Sequence, residues 1–372
     1  MRKFLAALML VLMFCTIASA EDDVIRVGIF NCLTGQNAFG GQLELEGTQL
    51  AHQLFPEILG KKVELVIVDN KSDKVEAANA VTRLIENDKV NAIIGTYGSS
   101  LAMAGGEVAE KAGVPVVGTS CTNPLVTLDK KFYFRACFID PFQGTVGGKF
   151  AGDILGANSA AILYDVGNDY SVGLKDNFYN EFERLGGRVI AQESYNTGDK
   201  DFNAQITKIK NVNPDVIYLP DYYGTVALIA KQLRAQGIVK PIVGADGWDG
   251  LTENAGEEVL NGYYSNHYAT DSDVEAVQKF VAAFDAKYGK KPNAFAALGY
   301  DSVYLLKDAI AKAGTTDGAA VRDALEATDG DYVTGHLTFD EKRNPIKSAV
   351  ILELARGENG ELTTKYKTTV NP

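Results

Sequence analysis

The sequence predicts an α/β protein of two doubly wound parallel-sheet lobes joined by hinge strands, and three observations predict it. Short apolar runs alternate with amphipathic helical segments from residue 24 onward. That alternation restarts near residue 160, and the tail from residue 273 departs from it. Alternation of this kind is the mark of parallel strands covered on both faces by helices.

Taken in order, residues 24–30 read as a short apolar strand, followed by a helix with Leu43, Gly47, Leu50 and Leu54 on one face. Residues 63–69 read as strand, and Val75, Ala78, Val81 and Ile85 mark a second helix face. Strands at 90–95 and 114–118 flank an Ala/Gly-rich helix at 100–112. The second set has strands at 160–165, 188–192, 215–219 and 241–244, with helices at 172–186, 202–211 and 224–236. The tail reads as helices 273–288, 293–313 and 317–327, then strands 332–340, 348–355 and 362–367. It is too short for a third domain of ordinary size, so it completes the two lobes and makes at least one of them discontinuous. Lobe 1 is expected at 21–139 plus about 268–343, and lobe 2 at 140–267 plus about 344–372.

The chain opens with Arg2-Lys3, an apolar run from residue 4 to 17, and the small residues Ala18-Ser19-Ala20 before Glu21-Asp22-Asp23. This is the layout of a secretory signal cleaved after Ala20, which places the mature chain in the periplasm. An apolar run of about 14 residues is short of the roughly 20 that a membrane-spanning helix needs. Lipid attachment at Cys15 would need small residues before it, and Met13 and Phe14 stand there. No other stretch resembles a membrane span, so the mature chain is expected to be soluble. Loss of residues 1–20 removes Arg2 and Lys3 from 36 basic residues and none of the 48 acids, leaving a formal balance of −14. Such a surface repels nucleic acid and anionic membranes. Cys32, Cys121 and Cys137 remain, either as one bridge and one thiol or as three buried thiols. Cys121 and Cys137 are the nearest pair, at the edges of neighbouring predicted strands, but sequence alone does not establish a bridge.

Ligands of open parallel sheets bind beyond the carboxyl ends of the strands. After the first, third and fourth strands come Asn31–Gly41, Gly95–Ser100 and Thr119–Pro124, which carry small residues and hydroxyls at helix starts. Turns and N-caps use the same residues. Three such loops at one sheet end nevertheless make a cradle for a carboxylate. The second set ends its strands differently, with Asp165, Asp169-Tyr170, Asp221-Tyr222-Tyr223 and Asp246-Gly247-Trp248-Asp249. Hydroxyls facing acids and rings suit a zwitterion with an apolar body.

Several stretches together resemble a known family. They are Leu33-Thr34-Gly35, Phe39-Gly40, Asp88-Lys89-Val90 leading to Ile93-Ile94-Gly95, and Gly113-Val114-Pro115 leading to Thr122-Asn123-Pro124. Phe134-Arg135, followed by Asp140 and Gln143-Gly144, continues the series. The chain resembles the leucine/isoleucine/valine-binding proteins of the type I periplasmic binding fold, receptors of branched-chain amino-acid ABC importers. The resemblance implies that Ser99 bonds the amino acid's carboxylate, that Ser120 and Thr122 add to that bonding, and that Asp246 faces the ammonium. Phe39, Tyr170, Tyr222 and Phe295 match its side-chain pocket. Tyr97 and Trp248 are added from their proximity to these loops. Two departures stand out. Asp246 is one carbon shorter than the family's usual glutamate, and Ser72 and Gly98 replace a cysteine pair found in some relatives. The implied partners are a small-molecule amino acid and the permease subunits; no cofactor, metal or nucleic acid is expected, and the chain is read as a monomer.

No enzyme constellation appears. His52, His267 and His336 are scattered without metal spacing, Ser99 has no G-x-S-x-G elbow, and no Walker A or G-x-G-x-x-G loop is present. Asp246 and Asp249 could pair as catalytic acids, but acids in a Gly-rich loop more often form turns. The alternatives to transport are a ligand sensor docking on a chemoreceptor or, further off, a periplasmic hydrolase.

Overall fold

The computed structural model describes residues 24–371, so the expected signal segment lies outside the described residues. The first part of the chain forms β1 (Val24–Asn31), α1 (Ala38–Leu54), β2 (Glu57–Ile58), β3 (Lys61–Asp69), α2 (Lys74–Glu86), β4 (Ala92–Ile94), α3 (Ser99–Ala112), β5 (Val116–Gly118) and β6 (Tyr133–Arg135). These strands build a six-stranded sheet in the order β2-β3-β1-β4-β5-β6. Its neighbours run parallel except for the short β2–β3 pair.

The chain then passes into α4 (Asp140–Lys149), β7 (Ser159–Asp165), α5 (Asp169–Arg184), β8 (Arg188–Tyr195), α6 (Asn203–Val212), β9 (Val216–Tyr218), α7 (Tyr223–Ala235), β10 (Ile242–Gly244), α8 (Leu251–Asn254) and β11 (Gly262–Asn266). It returns to the first sheet as α9 (Glu275–Tyr288), α10 (Ala294–Ala313), α11 (Gly318–Glu326) and a small antiparallel sheet of β12 (Asp329–Tyr332), β13 (Gly335–Phe339) and β14 (Pro345–Ile346). Leu298, Leu305 and Leu337 from this return share one core with Ile25, Val27 and Ile94. Finally β15 (Ala349–Arg356) and β16 (Leu362–Val370) cross back and extend the second sheet, ordered β16-β15-β11-β10-β9-β7-β8. The fold class is the expected one, with an antiparallel edge added to each parallel sheet.

Several details differ from the sequence reading. The strand expected at 332–340 is a hairpin of β12 and β13, because the buried Asp301 carboxylate accepts from Val333 N, Thr334 N and Thr334 Oγ1 and fixes a turn there. In α2 the buried face is Ala77, Ala80, Val81 and Leu84, while Val75 is exposed. Asp73 caps this helix by accepting from Val75 N and Glu76 N, which places Val75 in the exposed first turn. Leu54 ends α1 exposed for the same kind of reason, at a helix terminus beyond the packed turns. β6 and β11 went unread because short buried strands carry little period-2 signal. Cys32, Cys121 and Cys137 are all buried free thiols, so the three-thiol alternative is the one this structure adopts.

The helix pair α1 and α10 packs through glycine. A Cβ on Gly47 would stand 1.8 Å from Ala296 O, and one on Gly299 would stand 2.1 Å from Glu44 O. The two backbones therefore touch, and this contact sets where Glu44 on α1 points. Gly299→Ala is expected to lower stability by about 2 kcal/mol, the cost of overpacking a close-packed core. A urea midpoint unchanged from the parent, at equal m, would contradict it.

Candidate ligand-binding site

The carboxyl ends of β1, β4 and β5 place their loops side by side. Gly98 holds φ at 95°, a conformation that favours glycine, and starts α3 at Ser99. Ser99 Oγ accepts from Asn123 N at 3.1 Å, tying the loop after β5 to the helix start. Ser120 and Thr122 stand on that same loop and are buried. The Tyr97 hydroxyl is buried without a hydrogen-bond partner among the described residues, and those of Thr119 and Thr122 lie beside the Glu44 and Asp140 carboxyls. Arg135, wholly buried, holds the loop from beneath: its Nη1 donates to Cys121 O at 2.7 Å and Asn123 O at 2.8 Å, and its Nη2 to Thr127 Oγ1 at 2.8 Å. That cation is spent on carbonyls and a hydroxyl rather than on the cleft.

Asp246 occupies a single 3₁₀ turn after β10 and is 2% exposed. Its Oδ1 accepts from Gln143 Nε2 at 3.0 Å and from Tyr170 OH at 2.9 Å, and its Oδ2 pairs with His267 Nε2 at 3.1 Å. Gln143 Oε1 accepts from Asp246 N at 3.1 Å, and the Tyr170 oxygen accepts from Gly247 N at 2.9 Å. Burial pulls the His267 imidazole below its ordinary value, although Asp246 pushes it the other way. A neutral ring that bonds Asp246 must donate from Nε2, an assignment that follows from the bond itself. Nearby, burial holds Asp140 well above the carboxylate range, and the charge of Asp246 adds to this.

Rings close the space between the two sets of loops. Tyr170 stacks on Tyr222 at 4.9 Å and 4°, and Tyr97 lies 5.0 Å from Tyr222 and 4.9 Å from Phe295. Phe39 meets Tyr223 edge-on at 5.4 Å. Polar contacts cross at the rim: Asp169 Oδ2 accepts from Ser100 Oγ at 2.7 Å and Lys74 Nζ at 3.1 Å, and Asn123 Nδ2 donates to Asp169 O at 2.7 Å. Deeper in, Asp249 Oδ2 accepts from Ala294 N at 2.6 Å, at the first residue of α10. These contacts join the carboxyl ends of the two sheets and close the cleft between them.

Nine of the ten sequence-selected residues stand at this junction of strand ends. Trp248 does not. Its indole N–H donates to Leu219 O at 2.9 Å, and its ring packs on Gly244, where a Cβ would lie 2.0 Å away, and near Tyr264. It supports the Asp246 turn from the core because Gly244 leaves room for the ring there. Sequence reasoning missed Glu44 and His267, and it placed Asp169 among the strand-end acids without giving it a role. His267 reads in sequence as one of three histidines scattered without metal spacing, and β11, which ends beside it, carries no clear strand pattern. Glu44 lies mid-helix, where an acid ordinarily faces solvent.

Cavities of about 300 Å³ and 210 Å³ open at the cleft mouth, both bordered by Gln36, Asn37 and Tyr222. A larger cavity, about 880 Å³, lies behind the cleft against Tyr268, Val274, Tyr332, Lys347 and Tyr366. His267 also borders it, but no residue of the Ser99 cradle does, and the convergence of polar side chains, not volume, marks the candidate site.

A family model described as periplasmic binding protein matches residues 24–359. Similar proteins include the Leu/Ile/Val-binding protein homolog 2 of Brucella abortus, 30% identical over 350 residues that cover 91% of this chain and 92% of the relative. The leucine-, isoleucine-, valine-, threonine-, and alanine-binding protein of Pseudomonas aeruginosa is 29% identical over 330 residues, 87% of this chain and 88% of that protein. Among solved structures, a leucine-binding protein from Thermotoga maritima superposes with a TM-score of 0.89 at 39% identity, covering 94% of this chain and 99% of that one. A branched-chain amino acid transporter substrate-binding protein from Streptococcus pneumoniae, solved with isoleucine, gives 0.85 at 33%, covering 92% and 99%. With a match that spans both sheets and the cleft between them, the chain belongs to the periplasmic binding protein family.

Proposed function

We propose that this protein captures an α-amino acid, leucine, isoleucine or valine by default, in the cleft and delivers it in the periplasm to the permease of an ABC importer. The observation that carries this reading is the polarity of the cleft. Hydroxyls at the start of α3 and after β5 face Asp246 across a wall of rings. Ser99, Ser120 and Thr122 take the carboxylate, helped by the partial positive charge of the α3 N-terminus. Asp246 takes the ammonium, and Phe39, Tyr97, Tyr170, Tyr222 and Phe295 enclose the side chain. Trp248 acts only through the Asp246 turn. The relatives are named as binding proteins, which fits a chain that binds without catalysis.

The halves are 21–139 plus about 268–343 and 140–267 plus about 344–372, and the crossings between the two sheets serve as hinges. The mature protein, cleaved after Ala20, works as a monomer. The contacts of Asp169 with Ser100, Lys74 and Asn123 belong to the closed form, the form a permease would recognise.

Calorimetry with the purified mature chain tests the ligand class. Leucine, isoleucine or valine is expected to bind, and silence from every amino acid would overturn the reading. Asp246→Asn keeps shape and removes charge; it is expected to weaken leucine at least about a hundredfold, since breaking one side of a buried charge pair costs about 3 kcal/mol or more. Unchanged affinity in a variant that melts like the parent would mean the acid is misassigned. Asp169→Ala is expected to raise Kd about fivefold, chiefly through faster release, as suits a half-exposed rim contact. Release kinetics equal to the parent would remove Asp169 from the closed-state latch.

A further inference from the structure

We propose that Glu44 is a positioning residue of the carboxylate cradle which carries a proton in the liganded protein, so that binding an amino acid draws one proton from solvent. This rests on the amino-acid reading above and goes beyond it.

Glu44 is wholly buried, in the middle of α1, with α10 pressed against its backbone through Gly299. No ion pair among the described residues includes it. Its Oε2 accepts from Asn31 Nδ2 at 2.8 Å, and its Oε1 is bonded to Ser120 Oγ. The Asn31 amide has no freedom to reverse. Its Oδ1 already accepts from Cys32 N, Tyr97 N and Thr96 Oγ1, and its Nδ2 also donates to Gly41 O. Asn31 is therefore fixed as a donor to Glu44. The Thr119 hydroxyl and the Ser120 N–H also lie beside the carboxyl, and Ser120 is the hydroxyl bonded to it that can turn.

A hydroxyl has one hydrogen. With Glu44 ionised, Ser120 gives that hydrogen to Oε1 and shows only lone pairs to a ligand carboxylate. With a proton on Oε1, Glu44 becomes the donor, Ser120 Oγ accepts, and the Ser120 hydrogen is free to bond the ligand. The proton comes from solvent and returns on release, and no other bond changes. Burial brings this proton within reach, because it pushes Glu44 up to about 7. A ligand carboxylate beside Ser120 adds a like charge and pushes it further.

The other ionisable groups that feel the charge of Glu44 are Cys32 after β1, Tyr97 after β4 and Cys121 after β5, and Tyr97 also feels Asp246. Burial pushes the Cys32 thiol up to about 12 and the Tyr97 phenol well above its usual range. Asp301, the buried acid of α10, is bonded to Val333 and Thr334 instead. Asp221 and Asp249 are also raised by burial, to about 7 and about 6, but they bond Tyr195 and Tyr222, and Tyr264 and Ala294, respectively. A variant at Glu44 separates its titration from theirs.

The sign follows from a value raised in the free protein and raised further in the complex: affinity is fullest below about pH 7 and falls as pH rises through it. Calorimetry with leucine, repeated in buffers of different ionisation heat, reads the protons exchanged. The parent is expected to take up close to one proton above pH 7, with Kd rising by up to about tenfold per pH unit. Glu44→Gln, whose amide is a permanent donor to Ser120, is expected to bind leucine within a few-fold of the parent at pH 6 and to lose both uptake and slope. Equal uptake and slope in parent and Glu44→Gln would overturn the proposal while leaving amino-acid binding intact. Absence of leucine binding by the parent at every pH would overturn both. Should Glu44→Gln fold poorly, difference infrared spectra of the parent at pH 8 serve instead: a protonated-carboxyl band gained when leucine binds supports the proposal, and no such band overturns it.

Discussion

The Asp246 carboxylate is buried between two sheets with neutral partners, and the shape of the cleft follows from that constraint. Gln143, Tyr170 and a neutral His267 satisfy its lone pairs without cancelling its charge. In a low-dielectric pocket a charge left so is costly, and an ammonium held beside it recovers part of that cost. The donors also fix where the charge points, because each is itself held: Gln143 by the Asp246 amide and Ser265, Tyr170 by Gly247, and His267 by stacking on Phe138.

The first sheet answers with donors rather than cations. The wholly buried Arg135 is turned under the Cys121–Thr127 loop, so in the proposed binding mode the carboxylate end of a ligand is met by hydroxyls and helix-start N–H groups. Direct cations there would bind any small anion; hydroxyls leave recognition to depend on the acid across the cleft. Rings from both halves then exclude water, so that closing strengthens each polar contact. Glu44 adds a further condition, since the state of its proton decides which way Ser120 presents itself.

Much of this was legible in sequence. Alternating periods gave two sheets, strand-end loops gave hydroxyls on one side and acids with rings on the other, and the resemblance to a known family singled out Ser99, Ser120, Thr122 and Asp246. What escaped shares a physical cause: it depends on contacts distant in sequence. His267 meets Asp246 only because β11 lies next to β10. Glu44 looks like an ordinary helical acid until Gly299, far along the chain, brings α10 over it. Trp248 sits next to the site in sequence but turns into the core because Gly244 admits its ring. The hairpin at Val333 likewise answers to Asp301, a residue of another element.

The central claim is that closure requires a cation beside Asp246, not merely an apolar body in the cleft. Small-angle scattering with saturating leucine, and with 4-methylpentanoate, which keeps leucine's carbon skeleton and carboxylate but lacks the ammonium, tests it directly. The account predicts a smaller radius of gyration with leucine and none of that compaction with 4-methylpentanoate. Equal compaction by both would contradict it.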